Sequence, residues 1–282
     1  MATAISSQRH TGSRVKTWWT ILKISLEERF VYRGDFALGT LMRFLPIITQ
    51  VFLWYAIFEA AGKSRIEAYT ANGVVAYYML TMISRAFSSM PGLCTGIALQ
   101  VRDGEIKKYL IQPIDLLGFL LITRIAHKLC YYMIALIPFA FVFFLCRGFF
   151  ESGWPDPPML CAYFLSLVMG FLLGFFIEAS LGLVSFWFLE VTSLIFVYNL
   201  LNFFLSGHMF PLDLLPDWAS QFVNLLPFQY LAYYPAAIFL GTIAPHQVWQ
   251  GLVVEACWLI AFIVIARIML HRGIHRYSGF GG

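Results

Sequence analysis

Long apolar segments dominate this sequence and restrict its possible folds more than any other feature. Apolar residues make up 60% of the 282 residues and charged residues only 12%, whereas soluble domains are about 45–50% apolar and about 25% charged. So much apolar surface cannot be buried in the core of a water-soluble protein of this length. The sequence therefore predicts an integral membrane protein.

Six segments are long and apolar enough to cross a bilayer as helices. A hydrocarbon core of roughly 30 Å requires about 20 helical residues. The alternating pattern of about ten residues that is typical of membrane β-strands does not occur, so we predict an all-α fold. The predicted spans are 36–60, 71–97, 117–146, 159–186, 191–207 and 248–270, with the turn between the fourth and fifth near Trp187 to Glu190.

The distribution of lysine and arginine predicts that both termini are cytoplasmic. Positive residues concentrate in the loops that stay inside. With six spans, the inner segments would carry the N-terminal cluster Arg9, Arg14, Lys16, Lys23, Arg29 and Arg33, followed by Arg102, Lys107, Lys108, Arg124, Lys128, Arg267, Arg272 and Arg276. The outer loops would carry only Lys63, Arg65 and Arg147. We therefore predict a multi-pass protein of the cell (inner or plasma) membrane. The net charge of +4 is small, and we attribute it to the positive residues of the inner loops rather than to a nucleic-acid-binding surface.

The polar residues 1–35 contain no secretory signal and precede a transmembrane domain, 36–270, and a cytoplasmic tail, 271–282. Within them, residues 15–30 are predicted to form an amphipathic helix at the inner membrane surface, with Trp18 and Trp19 at headgroup depth. The apolar stripe consists of Val15, Trp19, Leu22, Leu26 and Phe30. The alternative is a cytosolic extension of the first span.

The sequence carries no motif for catalysis or nucleotide binding. GxxxxGK[ST], HExxH and GxSxG are all absent, and the five cysteines are scattered without CxxC spacing. We therefore expect no enzyme activity, no cofactor and no metal site in this chain.

The largest inner loop is "VRDGEIKKYLIQPID", residues 101–115. Gly104 permits a turn, Glu105 to Tyr109 are predicted to form one or two helical turns, and Pro113 ends them. Taken alone, the loop is either a docking surface or a solvated connector.

The outer segment 207–247 is apolar but rich in proline. Ser206 and Gly207 can end the fifth span, and Pro211 and Pro216 preclude a long helix in "SGHMFPLDLLPDW". Counting 219–241 as a seventh span would place the C-terminal arginines outside. We therefore predict a re-entrant pair of short helices that dips into the outer leaflet, with a seventh span as the alternative.

Several stretches, taken in order, resemble the permease subunits of ABC-2 type transporters. "DGEIKKYLIQPI" resembles the inner loop after the second span of that family, and "SGHMFPLDLLPDW" followed by "LLPF" resembles the stretch between its last two spans. "FWFLEVTSL" is similar to the turn between its fourth and fifth spans, and the terminal "GFGG" is a further similarity. The branch that the chain resembles is the bacterial permeases grouped with viologen and daunorubicin exporters.

The resemblance implies one half of a type V-like exporter that pairs with an identical or paralogous half. ATP and Mg²⁺ would bind a separate cytosolic ATPase, and membrane lipids, but no nucleic acid, would be further partners. Residues 103–112 would be the coupling helix, and 15–30 the connecting helix beside it. The implied coupling residues are Asp103, Gly104, Glu105, Lys107, Lys108, Leu110 and Pro113.

The resemblance also implies roles for the fifth span and the outer segment. The first and fifth spans would line the translocation path, with Tyr198, Asn199 and Asn202 as candidates; the two asparagines could instead hydrogen-bond between helices. The outer segment would cover the exit of the path. It is marked by Gly207, Pro211, Pro216, Trp218, Pro227 and Phe228.

Charged side chains within or near spans are costly in lipid and usually pair or face water. Arg85 is expected to pair with a glutamate, and a direct substrate contact is the alternative. Glu178, Glu190 and Glu255 are the nearby carboxylates, and the first two would lie at the inner surface if the turn between the fourth and fifth spans falls between them. Two GxxxG patterns, Gly92–Gly96 and Gly170–Gly174, allow close helix packing.

Two other functions are compatible with the spans. An ion-coupled carrier acting without an ATPase would favour internal repeats, which do not occur between 36–146 and 159–270. The second of these functions is that of a membrane-anchored assembly or regulatory protein. The substrate stays open between hydrophobic or cationic drug-like molecules and lipid-linked species.

Overall fold

The computed structural model describes the backbone of residues 2–31, 33–42, 44–67, 69–151, 153–188 and 190–277. Side chains within these ranges are described from Val15 onward, except at positions 33, 35–37 and 41. The side chains of Arg9, Arg14 and Arg33, and the tail residues 278–282, lie outside the described residues.

The described part of the chain is mostly helical. Its α-helices are α1 (Ala2–Val31), α2 (Arg33–Met42), α3 (Phe44–Ala61), α4 (Ala71–Ser88), α5 (Leu93–Arg102), α6 (Lys107–Leu110), α7 (Leu116–Leu145), α8 (Pro157–Leu183), α9 (Thr192–Leu205), α10 (Asp217–Asn224), α11 (Tyr233–Leu240) and α12 (Pro245–Arg276). Short 3₁₀ turns occupy Arg147–Phe149, Val184–Phe186, Leu212–Leu214 and Pro227–Leu231. A small antiparallel hairpin pairs β1 (Arg65–Ile66) with β2 (Tyr69–Thr70).

Four helical stretches are long and apolar enough to cross a membrane, within the described ranges. They are Leu38–Ala61, Leu116–Leu145, Pro157–Phe186 and Pro245–Arg276, which correspond to the first, third, fourth and sixth predicted spans. The predicted fifth span is the shorter apolar helix α9, of 14 residues. These helices confirm the all-α membrane class.

The predicted second span, 71–97, is not one continuous helix. α4 ends at Ser88 and α5 begins at Leu93. Pro91 has no backbone N–H to donate, and Gly92 takes a left-handed conformation with φ of +73°. The chain then continues as helix only to Arg102.

Side chains and prolines at the helix starts explain where the helices begin. The Thr70 hydroxyl accepts from the Gly73 N–H at 3.0 Å and caps α4. The Asp115 carboxylate accepts from the Gly118 N–H at 2.7 Å and caps α7. α8 begins at Pro157 and α12 at Pro245. Proline lacks a backbone N–H, but the first residue of a helix has no intrahelical acceptor for that group, so no hydrogen bond is lost.

The chain divides into two compact units. The first contains the chain up to Phe44 together with Lys108–Val142, and the second contains Leu45–Lys107 and the chain from Phe143 onward. In the second unit, α8 is central and packs against α4, α5, α11 and α12. Its side chains Leu173, Phe175 and Leu183 are fully buried in that core.

Glycines on α8 let other backbones approach closely. A Cβ added to Gly170 would lie 2.9 Å from the carbonyl oxygen of Tyr230, and one on Gly174 would lie 3.2 Å from the carbonyl carbon of Ser88. The second GxxxG pattern is thus a packing surface. The first pattern has no such contact among the described residues, because a Cβ on Gly96 would meet open space.

Candidate functional site

The loop after α5 presents charged side chains on a buried anchor. Gly104 takes a left-handed conformation with φ of +73° and ends α5. The Ile106 N–H donates to the Gln100 carbonyl at 2.9 Å, and the Ile106 side chain is fully buried. Asp103, Glu105 and Lys107 are exposed around it. The loop therefore holds its charges in a defined position rather than on a free chain.

Beyond Lys107 the same loop belongs to the first unit and leads into α7. Lys108 is exposed and its ammonium lies 5.3 Å from the centre of the Tyr109 ring, while Leu110 is half-buried. Ile111 is 84% exposed and Pro113 is also exposed. The predicted helical turns at Glu105 to Tyr109 are observed as α6, Lys107–Leu110. A single exposed isoleucine is common on protein surfaces, so Ile111 does not by itself distinguish a docking surface from a connector.

The N-terminal helix contacts the start of α7 within the first unit. The Trp18 ring lies 3.1 Å from the position that a Cβ on Gly118 would occupy, so the glycine makes room for it. Trp18, Leu22 and Leu26 are half-buried, whereas Trp19 is 68% exposed and Phe30 is also exposed. The predicted stripe is thus divided between an inward face and an uncovered apolar face. That uncovered face suits an interfacial helix.

The three path candidates on α9 have different surroundings. Tyr198 is buried, with its ring centre 6.2 Å from that of Phe228. Asn199 is exposed. Asn202 is half-buried, and its Oδ1 has no hydrogen-bond partner among the described residues. Of the three candidates, Asn199 therefore has an exposed polar group, and Asn202 has a buried polar atom that could accept a further hydrogen bond.

Tyrosines anchor the outer segment to the top of α4. The Tyr77 hydroxyl donates to the Gly207 carbonyl, and the Tyr78 hydroxyl donates to the Met209 carbonyl at 2.6 Å. Gly207 has φ of +80°, and a Cβ there would lie 2.6 Å from the Tyr233 Cβ. The glycine is therefore required both by its conformation and by the lack of space.

Asp213 joins two further tyrosines. The Tyr69 hydroxyl donates to Asp213 Oδ2 at 2.7 Å, and the Tyr233 hydroxyl donates to Oδ1. Burial first, and then the adjacent Asp213 carboxylate, raises the pKa of Tyr69 well above its ordinary value. Both hydroxyls therefore remain protonated donors. Ser88 adds a bond to the Leu231 carbonyl at 2.7 Å.

The remaining marker residues of the outer segment lie along its short helices. Pro211 and Pro216 flank the 3₁₀ turn Leu212–Leu214, and α10 follows with Trp218 76% exposed. Pro227 opens the turn that contains Phe228. No long helix forms between α9 and α12, which agrees with the effect predicted for the prolines.

Arg85 contacts a histidine of the outer segment. Its guanidinium Nη1 lies 2.5 Å from Nε2 of His208. Burial, together with the positive charge of Arg85, lowers the pKa of His208 to about 3. The ring is therefore neutral near pH 7 and accepts the hydrogen bond. A pair between Arg85 and a glutamate stays a prediction.

The three glutamates have distinct roles in the structure. Glu178 accepts from the Met90 N–H at 3.3 Å, beside the break between α4 and α5. Glu190 is exposed and accepts from the Thr192 N–H at 2.9 Å; hydrogen bonds from Thr192 lower the pKa of Glu190. Glu255 is fully buried in α12 and accepts from the Ser166 hydroxyl at 2.9 Å.

Sequence reasoning missed the tyrosine anchor and the Trp18–Gly118 contact. The anchor joins tyrosine hydroxyls of α4 to backbone carbonyls about 130 residues away, which no local sequence pattern indicates. Gly118 carried no signal either, since a single glycine near a helix start has many explanations.

A model of the family described as ABC-2 family transporter protein matches residues 44–281 of this chain. The match covers α3 to α12, and so includes the charged loop, α9 and the outer segment. No curated protein matches the chain.

Proposed function

Because this chain belongs to the ABC-2 transporter family, we propose that it is the transmembrane half-permease of an ATP-driven exporter. Two halves, identical or paralogous, would form the translocation path, and separate cytosolic ATPase subunits would bind ATP and Mg²⁺. The observation that carries the proposal is the charged loop 103–113, held in place by buried Ile106.

The loop would act as the coupling helix. Asp103, Glu105, Lys107 and Lys108 are exposed on it, and Ile111 offers an apolar contact beside them. Closure of the ATPase dimer would push on this surface. Because α5 ends in the loop and α7 begins at its far end, the movement would pass directly into two membrane helices.

Six crossings with both termini inside are proposed for the topology. The spans would be α2 with α3, then α4 with the start of α5, α7, α8, α9 and α12. The segment between α9 and α12 would dip into the outer leaflet and cover the exit of the path. The proposal is supported by the hydrogen bonds of Tyr77, Tyr78 and Ser88, which hold the segment against α4.

Association with the ATPase tests the proposal. The chain is copurified with the ATPases encoded near its gene, alone and with Glu105→Arg or the double change Lys107→Glu and Lys108→Glu. Each charge reversal should weaken association about ten-fold or more, because like charges at a polar interface cost several kcal/mol. The change Lys63→Glu, in a different loop, is the control and should leave association intact.

The ion-coupled carrier would give a different result. In that case the purified chain would transport solute in liposomes without any ATPase, and the loop variants would transport as well as the original. If both loop variants bind the ATPase as well as the Lys63→Glu control does, the loop is only a connector.

A further inference from the structure

An apolar cavity of about 620 Å³ lies in the second unit, between α4, the end of α7, the start of α8 and α11. Cavities that hold small ligands usually have volumes of roughly 300–1,000 Å³. Its inner wall includes Leu80, Ile83 and Phe87 on one face of α4 and Leu167 on α8. The volume and the apolar wall suit a hydrocarbon chain better than a polar solute.

Aromatic side chains form the other wall of the cavity. The Phe239 ring lies 5.2 Å from Tyr163, 5.8 Å from Trp154 and 6.1 Å from Phe150, measured between ring centres. Trp154 is 83% exposed at the rim, and Phe144 and Phe164 are also exposed there. An exposed Trp in the connection between two membrane helices is typical of the headgroup region of a bilayer.

Arg147 carries the charge at this rim. It is the one charged side chain among the described residues that line the cavity. Its guanidinium carbon lies 4.6 Å from the centre of the Phe144 ring, and it forms no ion pair with a carboxylate in the described ranges. The nearby Glu151 instead accepts hydrogen bonds from Thr70 and Asn72. Guanidinium groups bind phosphate oxygens in a bidentate geometry, so the rim is complementary to an anionic headgroup.

We propose that this cavity binds one anionic phospholipid, with an acyl chain between α4 and α8 and the phosphate on Arg147. From Leu80 to Phe87 the α4 wall extends over seven residues, or about 10 Å of helix. The site thus combines an apolar slot with a cation and an exposed tryptophan, groups that suit the acyl chain and the headgroup of a phospholipid. The lipid would seal the contact between α4, α8 and α11. The inference rests on the chain being a membrane protein and does not depend on the ATPase.

Lipid retention in native mass spectrometry tests the site. The full chain is reconstituted in nanodiscs of phosphatidylcholine and phosphatidylglycerol, extracted, and analysed for lipid that remains bound. We expect one phosphatidylglycerol per chain to be retained in preference to phosphatidylcholine. Arg147→Gln should weaken this retention about ten-fold, because a charge-assisted contact is lost. Lys63→Gln, which removes a cation elsewhere, should not.

A second variant tests the slot itself. Ile83→Trp places a larger ring in the slot between α4 and α8 and should weaken retention of the acyl chain whatever its headgroup, while Val264→Trp on an exposed part of α12 should not. Arg147 is exposed, so its variant tests the proposal even where Ile83→Trp does not fold. The proposal is overturned where no lipid is retained, or where Arg147→Gln leaves the preference for phosphatidylglycerol unchanged. It is also overturned where Ile83→Trp changes only the oligomeric state, because a second copy would then cover the slot.

Discussion

At the scale of single residues, polar side chains in this protein form hydrogen bonds with backbone N–H and C=O groups that lie where helices end or break. Lipid offers no hydrogen bonds, so every interruption of a membrane helix needs local partners. Glu178 accepts from the Met90 N–H beside the break between α4 and α5. Tyr77 and Tyr78 donate to the carbonyls of Gly207 and Met209 beyond the end of α9. These side chains therefore explain how an apolar chain tolerates a proline-rich segment.

Gly174 is expected to be intolerant of any side chain. Gly174→Ala should destabilise the protein by about 1–3 kcal/mol, because the new methyl group would meet the Ser88 backbone, which cannot move like a side chain. Thermal unfolding of the detergent-solubilised protein measures this loss.

The matched control is Gly96→Ala in the other GxxxG pattern, where the methyl group enters open space. It should be neutral or slightly stabilising, since alanine favours helix over glycine by up to about 1 kcal/mol. Equal losses for the two variants would contradict the assignment of Gly174 as the packing glycine.

At the scale of elements, the N-terminal helix has two apolar faces with different surroundings. Trp18 contacts the start of α7 at Gly118, only three residues after the capping Asp115. Trp19, the next residue, is largely exposed. Any movement of the loop before α7 would therefore reach α1 through Trp18, whereas Trp19 is available to the membrane surface.

Trp18→Ala should release α1 from α7. A half-buried tryptophan contributes about 1–2 kcal/mol by removing apolar surface from water, so amide hydrogen exchange in residues 15–31 should increase several-fold. Gly118→Leu should have the same effect from the other side of the contact.

Trp19→Ala is the control for this prediction, because the neighbouring ring is 68% exposed. It should leave exchange in the purified protein close to that of the unsubstituted chain. An increase as large as that of Trp18→Ala would show that α1 does not dock through the face that we describe.

At the scale of the whole molecule, the proposed topology separates two surfaces. The loop 103–113 would lie inside, where an ATPase can reach it, and the segment between α9 and α12 would lie outside. Glu105 is exposed on the first surface and Trp218 on the second, so each can report its side of the membrane.

Cysteine labelling in cells distinguishes the two sides. A membrane-impermeant maleimide should label Trp218→Cys in intact cells, and should label Glu105→Cys only after the membrane is permeabilised. The unsubstituted protein gives the background from its own five cysteines. Labelling of Glu105→Cys in intact cells would place the loop outside and remove the basis of the proposed coupling.

The sequence by itself determined the membrane class, the approximate bounds of most apolar helices and the short helices of the outer segment. These follow from apolar length and from proline, whose effects are local and do not depend on what packs nearby. The candidate loop was also visible, because Gly104 and Pro113 bound a run of charges.

Only the tertiary structure decided which residues meet across the fold. The break at Pro91 and Gly92 within a predicted span is stable because Glu178, 88 residues from Met90 in sequence, accepts its N–H. Likewise Tyr77 holds the outer segment through a contact with Gly207, 130 residues away in sequence. Such pairs depend on how helices pack against one another, and the pattern of apolar and polar residues along one chain does not specify that packing.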